Sequence, residues 1–223
     1  MNPYKQFVLD FAAQVAEGKK LPLGGFDAPP RPVPPQNAPN ALFFAPHPDD
    51  ECISGGLALR LLREAGMNVI NVAVTLGSKK ERQRERWEEL TAACHYLGFG
   101  LESTGPNGLE KINSRARQEN PAQWSAAVQV IERLLQKYHP RVVFFPHQLD
   151  WNSTHIGTYL LVTDALSRMA AGFGCYVVET EFWGQMQNPN AMVEMSVEDV
   201  AAMIAATSFH AGEVRRNPYH LLL

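Results

Sequence analysis

Residues 41–51, ALFFAPHPDDE, pass from an uninterrupted apolar run into one imidazole and three carboxylates. A short run without polar alternation is what a strand buried on both faces requires. Pro48 holds its own φ near about -65° and favours a turn where that strand ends. The chemistry-bearing groups are therefore expected at a strand's carboxyl end, which in open α/β sheets is where ligands sit.

The pattern continues outward from this stretch. SGGLALRLLREAG (54–66) has helical periodicity and stops at Gly66, and NVINVAVTLG (68–77) is a second strand. Residues 80–97 predict a charged helix closing at Leu97-Gly98. Asn120 and Pro121 open a further helix running to Tyr138, and RVVFFPH (141–147) is a third buried strand. A helix over 154–171, a strand over 175–183 and a last helix capped by Ser196, with Asp199 at the capping-box position, complete the chain. Strands alternating with helices predict a Rossmann-like, three-layer α/β sandwich: a mostly parallel sheet with helices on both faces. No GxGxxG follows the first strand, which argues against a dinucleotide cofactor.

Upstream, Tyr4, Val8, Phe11 and Val15 recur at helical spacing, so residues 3–17 predict an amphipathic helix ended by Gly18. Residues 19–40 then hold seven of the chain's sixteen prolines and should run extended. Two units are expected: an N-terminal helix and proline-rich arm over 1–40, and an α/β domain over 41–223. The arm would lie on its own domain or reach a neighbouring subunit of a homo-oligomer. The three leucines that end the chain should pack somewhere.

Composition narrows the classes of function. The 223 residues are 45% hydrophobic and 19% charged, ordinary for one globular domain, and a formal net charge of -3 gives no general attraction to nucleic acid or acidic membranes. Cys52, Cys94 and Cys175 are scattered and odd in number, so reduced thiols are expected. Cys52 should be buried and inert. Asp10 and Gln14 interrupt the N-terminal apolar residues, which argues against a signal peptide, and no apolar run approaches about 18 residues. A cytoplasmic protein with a small-molecule substrate, and no membrane or nucleic-acid partner, is the expectation.

Three strand ends converge on one rim: the first carries His47-Pro48-Asp49-Asp50-Glu51, the second Thr75 to Ser78, the third His147, Asp150, Asn152 and His155. A turn at Pro48 allows residues 47 and 50 to face one side while Asp49 projects differently. His47 and Asp50 could then hold one metal with Asp49 beside it as a base. The competing reading is an acidic turn capping the helix near Ser54. A third ligand would come from PHQLDWNSTH, where His147 and His155 both qualify. The run from Lys79 to Arg86 is either a solvated helix face stitched by pairs such as Arg82–Glu85, or it brings Arg86 to a phosphate, carboxylate or sugar hydroxyl. Trp151 and Trp183 are packing residues or platforms for a sugar ring.

APHPDDE after a buried strand resembles the signature of the PIG-L/LmbE-like metal-dependent N-deacetylases. The resemblance implies a Rossmann-like fold and removal of acetyl groups from N-acetylglucosaminyl substrates, usually with one zinc ion. It makes His47 and Asp50 metal ligands and Asp49 the general base. The family's second motif, D-x-H-x-D-H, is similar to Asp150-Trp151-Asn152-Ser153-Thr154-His155, which makes His155 the third ligand and leaves His147 outside the motif. The R-x-x-E element is matched by Arg86 to Glu89, and Phe209 to Val214 adds a weaker similarity that contains His210. The sequence departs from the family at Asn152, where a histidine is thought to help stabilise the oxyanion, and at Thr154, where the family has Asp. Asn152, His210 and His147 are thus the groups expected to assist catalysis or hold substrate, with Arg86 on the substrate side.

Overall fold

The computed structural model describes residues 2–31 and 33–222; Met1, Pro32 of the arm and the terminal Leu223 lie outside the described residues. Five strands form one sheet in the order β3-β2-β1-β4-β5: β1 (Asn40–Ala45), β2 (Asn68–Ala73), β3 (Gly100–Ser103), β4 (Val142–Pro146) and β5 (Tyr176–Thr180). Every neighbouring pair is parallel. The expected sandwich is present, with a sheet parallel throughout. The strand missed from the sequence is β3, four residues on the sheet's edge that are too short and too polar to show a pattern.

Period-two alternation inside the buried strands divides the core. Ala41, Phe43 and Ala45 face one side of the sheet, where they meet α3 (Gly56–Ala65), α4 (Gln83–Leu97) and α8 (Val197–Ser208). Leu42 and Phe44 face the other side, packed with α6 (Pro121–Tyr138) and α7 (Ser153–Arg168). Each face supplies a closed apolar layer, and together they hold β1 and β4 rigidly at the sheet's centre. The helix expected over 54–66 is in two pieces. A single turn, α2 (Asp50–Ile53), starts inside the HPDDE turn, and α3 follows after Gly55. A short α5 (Ala116–Glu119) precedes α6, and α9 (Ala211–Val214) follows α8.

The N-terminal helix, α1 (Lys5–Gly18), forms where its periodicity predicts, but none of its residues is buried, and Phe7 is 70% exposed. The arm lies on its own domain: Gly24 N donates to Ser208 Oγ at 3.1 Å, Arg31 donates to the His95 carbonyl, and Phe26 packs edge-on against Tyr96 and Phe209. Of the terminal leucines, Leu221 lies against Gly18 while Leu222 is exposed. No helix among the described residues is long and apolar enough to cross a membrane.

Candidate metal centre and cleft

Strand order reverses between β1 and β4, so the loops leaving their carboxyl ends diverge and open a crevice. His47, Asp49 and Asp50 follow β1, while His155 stands in the first turn of α7, after β4. One ligand atom from each of His47, Asp50 and His155 lies within 4.8 Å of the other two. Asp50 Oδ2 accepts the His47 backbone N–H at 2.7 Å and lies 3.4 Å from His47 Nδ1, while its Oδ1 lies 3.4 Å from His155 Nε2. Burial works against the charge of Asp50, yet His155 and His47 hold its carboxyl well below the usual carboxylate range.

The donor set fits a divalent ion of the zinc type: two imidazole nitrogens and one carboxylate, with a position left for water. The structure adds an observation of its own, for both ring nitrogens of His155 are buried without a hydrogen bond. An imidazole enclosed in that way lacks a partner that a metal would supply. Asp150 stands behind it, with Oδ2 3.4 Å from His155 Nδ1. The same carboxylate accepts the backbone N–H of Asn152 at 2.7 Å and of Trp183 at 3.2 Å. Burial opposes protonation of His155, but the flanking Asp50 and Asp150 raise its pKa nonetheless. A carboxylate behind a ligating histidine fixes its tautomer and its basicity.

Asp49 is the strained residue of the turn. Its φ of 122° is one that side chains rarely adopt, at a cost of about 1–3 kcal/mol. Several groups hold it there. Glu51 Oε2 accepts its backbone N–H at 3.0 Å, Arg86 Nη2 donates to the Pro48 carbonyl at 2.9 Å, and the Tyr219 hydroxyl donates to Asp49 Oδ2 at 2.6 Å. Burial, followed by the neighbouring Asp50 carboxylate, pushes the Asp49 carboxyl up to about 6. Asp49 lines the cleft, so its carboxyl combines a raised proton affinity with access to a ligand.

The remaining expected residues divide between cleft and scaffold. Asn152 lines the cleft and also caps α7, its Oδ1 accepting Thr154 N at 2.8 Å. Arg86 lines it too, although one of its nitrogens braces the Pro48 carbonyl. His210 departs from expectation: it is fully buried behind the turn, where Nε2 donates to Glu51 Oε1 at 2.8 Å, and it is not among the residues that line the cleft. Cys52 shares that carboxylate, with Sγ 3.0 Å from Glu51 Oε1, and burial pushes its thiol up, as an inert cysteine requires. His147 also departs from the expected substrate role. Its Nε2 donates to the Gly184 carbonyl at 2.7 Å and its Nδ1 accepts Leu149 N at 3.3 Å, so both ring nitrogens hold loops together.

The cleft has a volume of about 410 Å³, enough for a monosaccharide-sized group. Trp183 and Phe182 contribute its aromatic surface, while Trp151, 80% exposed, is not among its lining residues. Sequence reasoning did not find Tyr219, Glu213 or Arg216. All three come from the last eleven residues, where no periodicity connects them to the turn they meet.

A family model for GlcNAc-PI de-N-acetylases (PIG-L) matches residues 42–166. No curated protein sequence matches the chain. Several solved structures share its fold, three of them as follows. A conserved protein from Thermus thermophilus is 22% identical with a TM-score of 0.61, over 82% of this chain and 83% of that one. The 4-carboxy-2-hydroxymuconate hydratase from Pseudomonas putida is 18% identical with a TM-score of 0.63, over 82% of each chain. The N,N'-diacetylchitobiose deacetylase from Pyrococcus horikoshii is 17% identical with a TM-score of 0.57, over 99% of this chain and 85% of that one. The family match runs from β1 to α7, through the HPDDE turn and the His155 helix and over more than half of the sequence, and the chain belongs to the PIG-L family of de-N-acetylases.

Proposed function

We propose that this protein is a metal-dependent hydrolase that removes an N-acetyl group from a sugar-like substrate. The observation that carries the reading is the grouping of His47, Asp50 and His155 within 4.8 Å, with the strained, cleft-lining carboxyl of Asp49 beside them. Family membership supports an amide substrate, as does the activity of the chitobiose deacetylase that shares the fold. The hydratase shares it too, so the fold alone does not settle the reaction, and the contents of the cleft have to carry it.

His47, Asp50 and His155 would hold one divalent ion, most simply zinc, which when bound supplies a Lewis acid that acidifies water and polarises a carbonyl. Asp49 removes the proton from the attacking water as its oxygen bonds to the amide carbon. It then carries that proton to the leaving nitrogen, so that the C–N bond breaks to give acetate and an amine. A carboxyl whose pKa lies near 6 can take up and release a proton in turn close to neutrality. Asn152 presents its amide N–H to the carbonyl oxygen, since its Oδ1 is engaged by the helix. An oxyanion donor is worth about 10²–10³ in turnover, and a neutral amide does less for a developing charge than an imidazolium. Tyr219 and Arg86 keep Asp49 and its turn in register, and Trp183 offers a face to the sugar ring.

Elemental analysis and acetate release test this together. Wild-type protein should carry close to one zinc per chain and release acetate from N-acetylglucosamine or N,N'-diacetylchitobiose. His155→Ala should lose most of the metal, and Asp49→Asn should keep the metal while losing turnover. A wild type that binds no zinc when supplied with it overturns the metal site. Zinc bound without acetate release from any acetylated sugar would favour a protein that binds glycans without cleaving them.

A further inference from the structure

The peptide bond between Pro48 and Asp49 is gripped at both ends. Arg86 Nη2 donates to its carbonyl at 2.9 Å, and Glu51 Oε2 accepts its N–H at 3.0 Å. On the far side of the residue, the Asp49 carbonyl accepts Cys52 N at 3.0 Å and Ile53 N at 3.3 Å from the first turn of α2. Peptide units are planar, and φ is the rotation that relates one plane to the carbonyl of the next. Holding both planes therefore holds Asp49 at its φ of 122°.

Glu51 is itself held from beneath. Its Oε1 accepts His210 Nε2 at 2.8 Å, with Cys52 Sγ at 3.0 Å, and both Glu51 and His210 are completely buried. His210 stands at the corner between α8 and α9, where its N–H donates to the Thr207 carbonyl at 3.0 Å and its carbonyl accepts Glu213 N and Val214 N, each at 3.0 Å. That corner is tied to α4 and its N-cap by Gly212 N, which donates to Glu89 Oε1 at 2.7 Å, and by Arg82 Nη1, which donates to Glu213 Oε1 at 2.7 Å. One helix thus holds the carbonyl of the 48–49 peptide directly through Arg86, and its N–H through His210 and Glu51. A carboxylate and an imidazole buried together are a costly way to fill a core, since apolar residues of similar volume often serve as well or better. Here the pair ends on the backbone of a strained residue that lines the cleft.

We propose that His210 and Glu51 are positioning residues for Asp49: hydrogen-bonded to each other beneath the turn, they hold residue 49 in a conformation it would otherwise leave, and so aim its carboxyl into the cleft. Neither touches the substrate. The consequence for turnover rests on the reading of Asp49 as the base of a deacetylase, whereas the clamp on the backbone does not.

Two variants at residue 49 read the clamp without turnover. Glycine tolerates a φ of 122° and alanine does not, so Asp49→Gly should melt about 2–8 °C above Asp49→Ala at one fixed zinc concentration. The comparison is repeated in a Glu51→Met/His210→Leu background, where both buried polar groups go together because removing one strands the other. With the clamp gone the turn relaxes, and the advantage of glycine should shrink to less than half. Should the double change prevent folding, Glu51→Met alone strands only an imidazole, which can be neutral, and carries the same readouts. With Asp49 in place, the double change should leave zinc content and the KM for N,N'-diacetylchitobiose within about twofold, and lower kcat about tenfold or more. His210→Gln, which keeps a side-chain N–H to donate to Glu51, should hold kcat within about threefold of wild type. A glycine advantage that keeps half its size or more overturns the proposal. So does a kcat that falls less than about tenfold in the double variant, or one that falls as far in His210→Gln. If the wild type releases no acetate, the melts still decide the clamp. If the wild type is active and the glycine advantage persists, the deacetylase reading stands and the clamp falls.

Discussion

Asp150→Asn isolates the group that stands behind His155, the proposed metal ligand. The wild-type carboxylate serves three donors: Asn152 N at 2.7 Å, Trp183 N at 3.2 Å and the Nδ1 side of His155 at 3.4 Å. Asparagine preserves the shape but has one oxygen able to accept, and its NH₂ must face one of those donors. If the oxygen stays with Asn152 N, the NH₂ takes the place of Oδ2, faces both Trp183 N and His155 Nδ1, and the ring loses its orienting charge. Loss of such a partner lowers metal affinity about 10–100-fold. If the side chain flips to serve His155, a buried backbone donor is stranded at about 1–3 kcal/mol. For a chain of this size that is a fall of roughly 2–12 °C in the melting temperature of the metal-free protein, at 2–4 °C per kcal/mol. Zinc affinity by competition with a chromophoric chelator, beside a melt of the stripped protein, separates the two cases. A variant with zinc affinity within twofold of wild type and an unchanged melt would refute the reasoning, because no arrangement of the amide satisfies all three donors.

Three further outcomes follow from local geometry. Asp49 holds a φ of 122°, so Asp49→Gly should be more stable than Asp49→Ala by about 1–2 kcal/mol, read as a difference in melting temperature between two inactive proteins. Gly157 of α7 lies against the loop at Asn113, where an added Cβ would meet the backbone nitrogen at 2.6 Å; Gly157→Ala should cost about 1–3 kcal/mol despite the better helix propensity of alanine, and an unchanged melt would contradict the packing. For Asp199, burial is outweighed by Ser196 and Arg63, which hold the carboxyl below its ordinary 3.8. A depressed folded pKa stabilises above the unfolded value and ceases to do so as pH falls through the folded one. The stability difference between wild type and Asp199→Asn, from denaturant titrations, should therefore be full near neutrality and shrink below about pH 4.

What the sequence made legible follows from how local each signal is. The central strands could be read because burial on both faces leaves no polar residue between Leu42 and Ala45 or between Val142 and Phe145. The edge strand β3 could not, because an edge tolerates Gly100 and Glu102 as readily as a loop does. In the cleft, His47, Asp49 and Asp50 are neighbours in sequence, and His155 stands five residues after Asp150, so their grouping was visible before any fold was known. The roles expected of His147 and His210 depended instead on which way a ring turns. His210 meets Glu51 across 159 residues of chain, and His147 meets a carbonyl 37 residues away. Neither contact leaves a trace in spacing. The same holds for Tyr219, which meets Asp49 across 170 residues from a C-terminal segment outside the matched family region.

The departure at Asn152 has a physical explanation that the fold supplies. Residue 152 is the N-cap of α7, and His155 occupies the first turn of that helix. The capping bond from Thr154 N to Asn152 Oδ1 therefore fixes the turn that carries His155, the proposed third ligand. Asparagine is among the best N-cap residues, worth about 1 kcal/mol over alanine. A histidine at this position supplies a stronger group for a developing oxyanion but a poorer cap, so one residue serves two competing demands. Here the cap is favoured, and Asp150 holds the backbone of the same residue from the other side. The outcome is a helix whose first turn is secured twice, beside a cleft whose proposed oxyanion donor is neutral. On the proposed reading, such a site would rely the more on the Lewis acid that His47, Asp50 and His155 would hold.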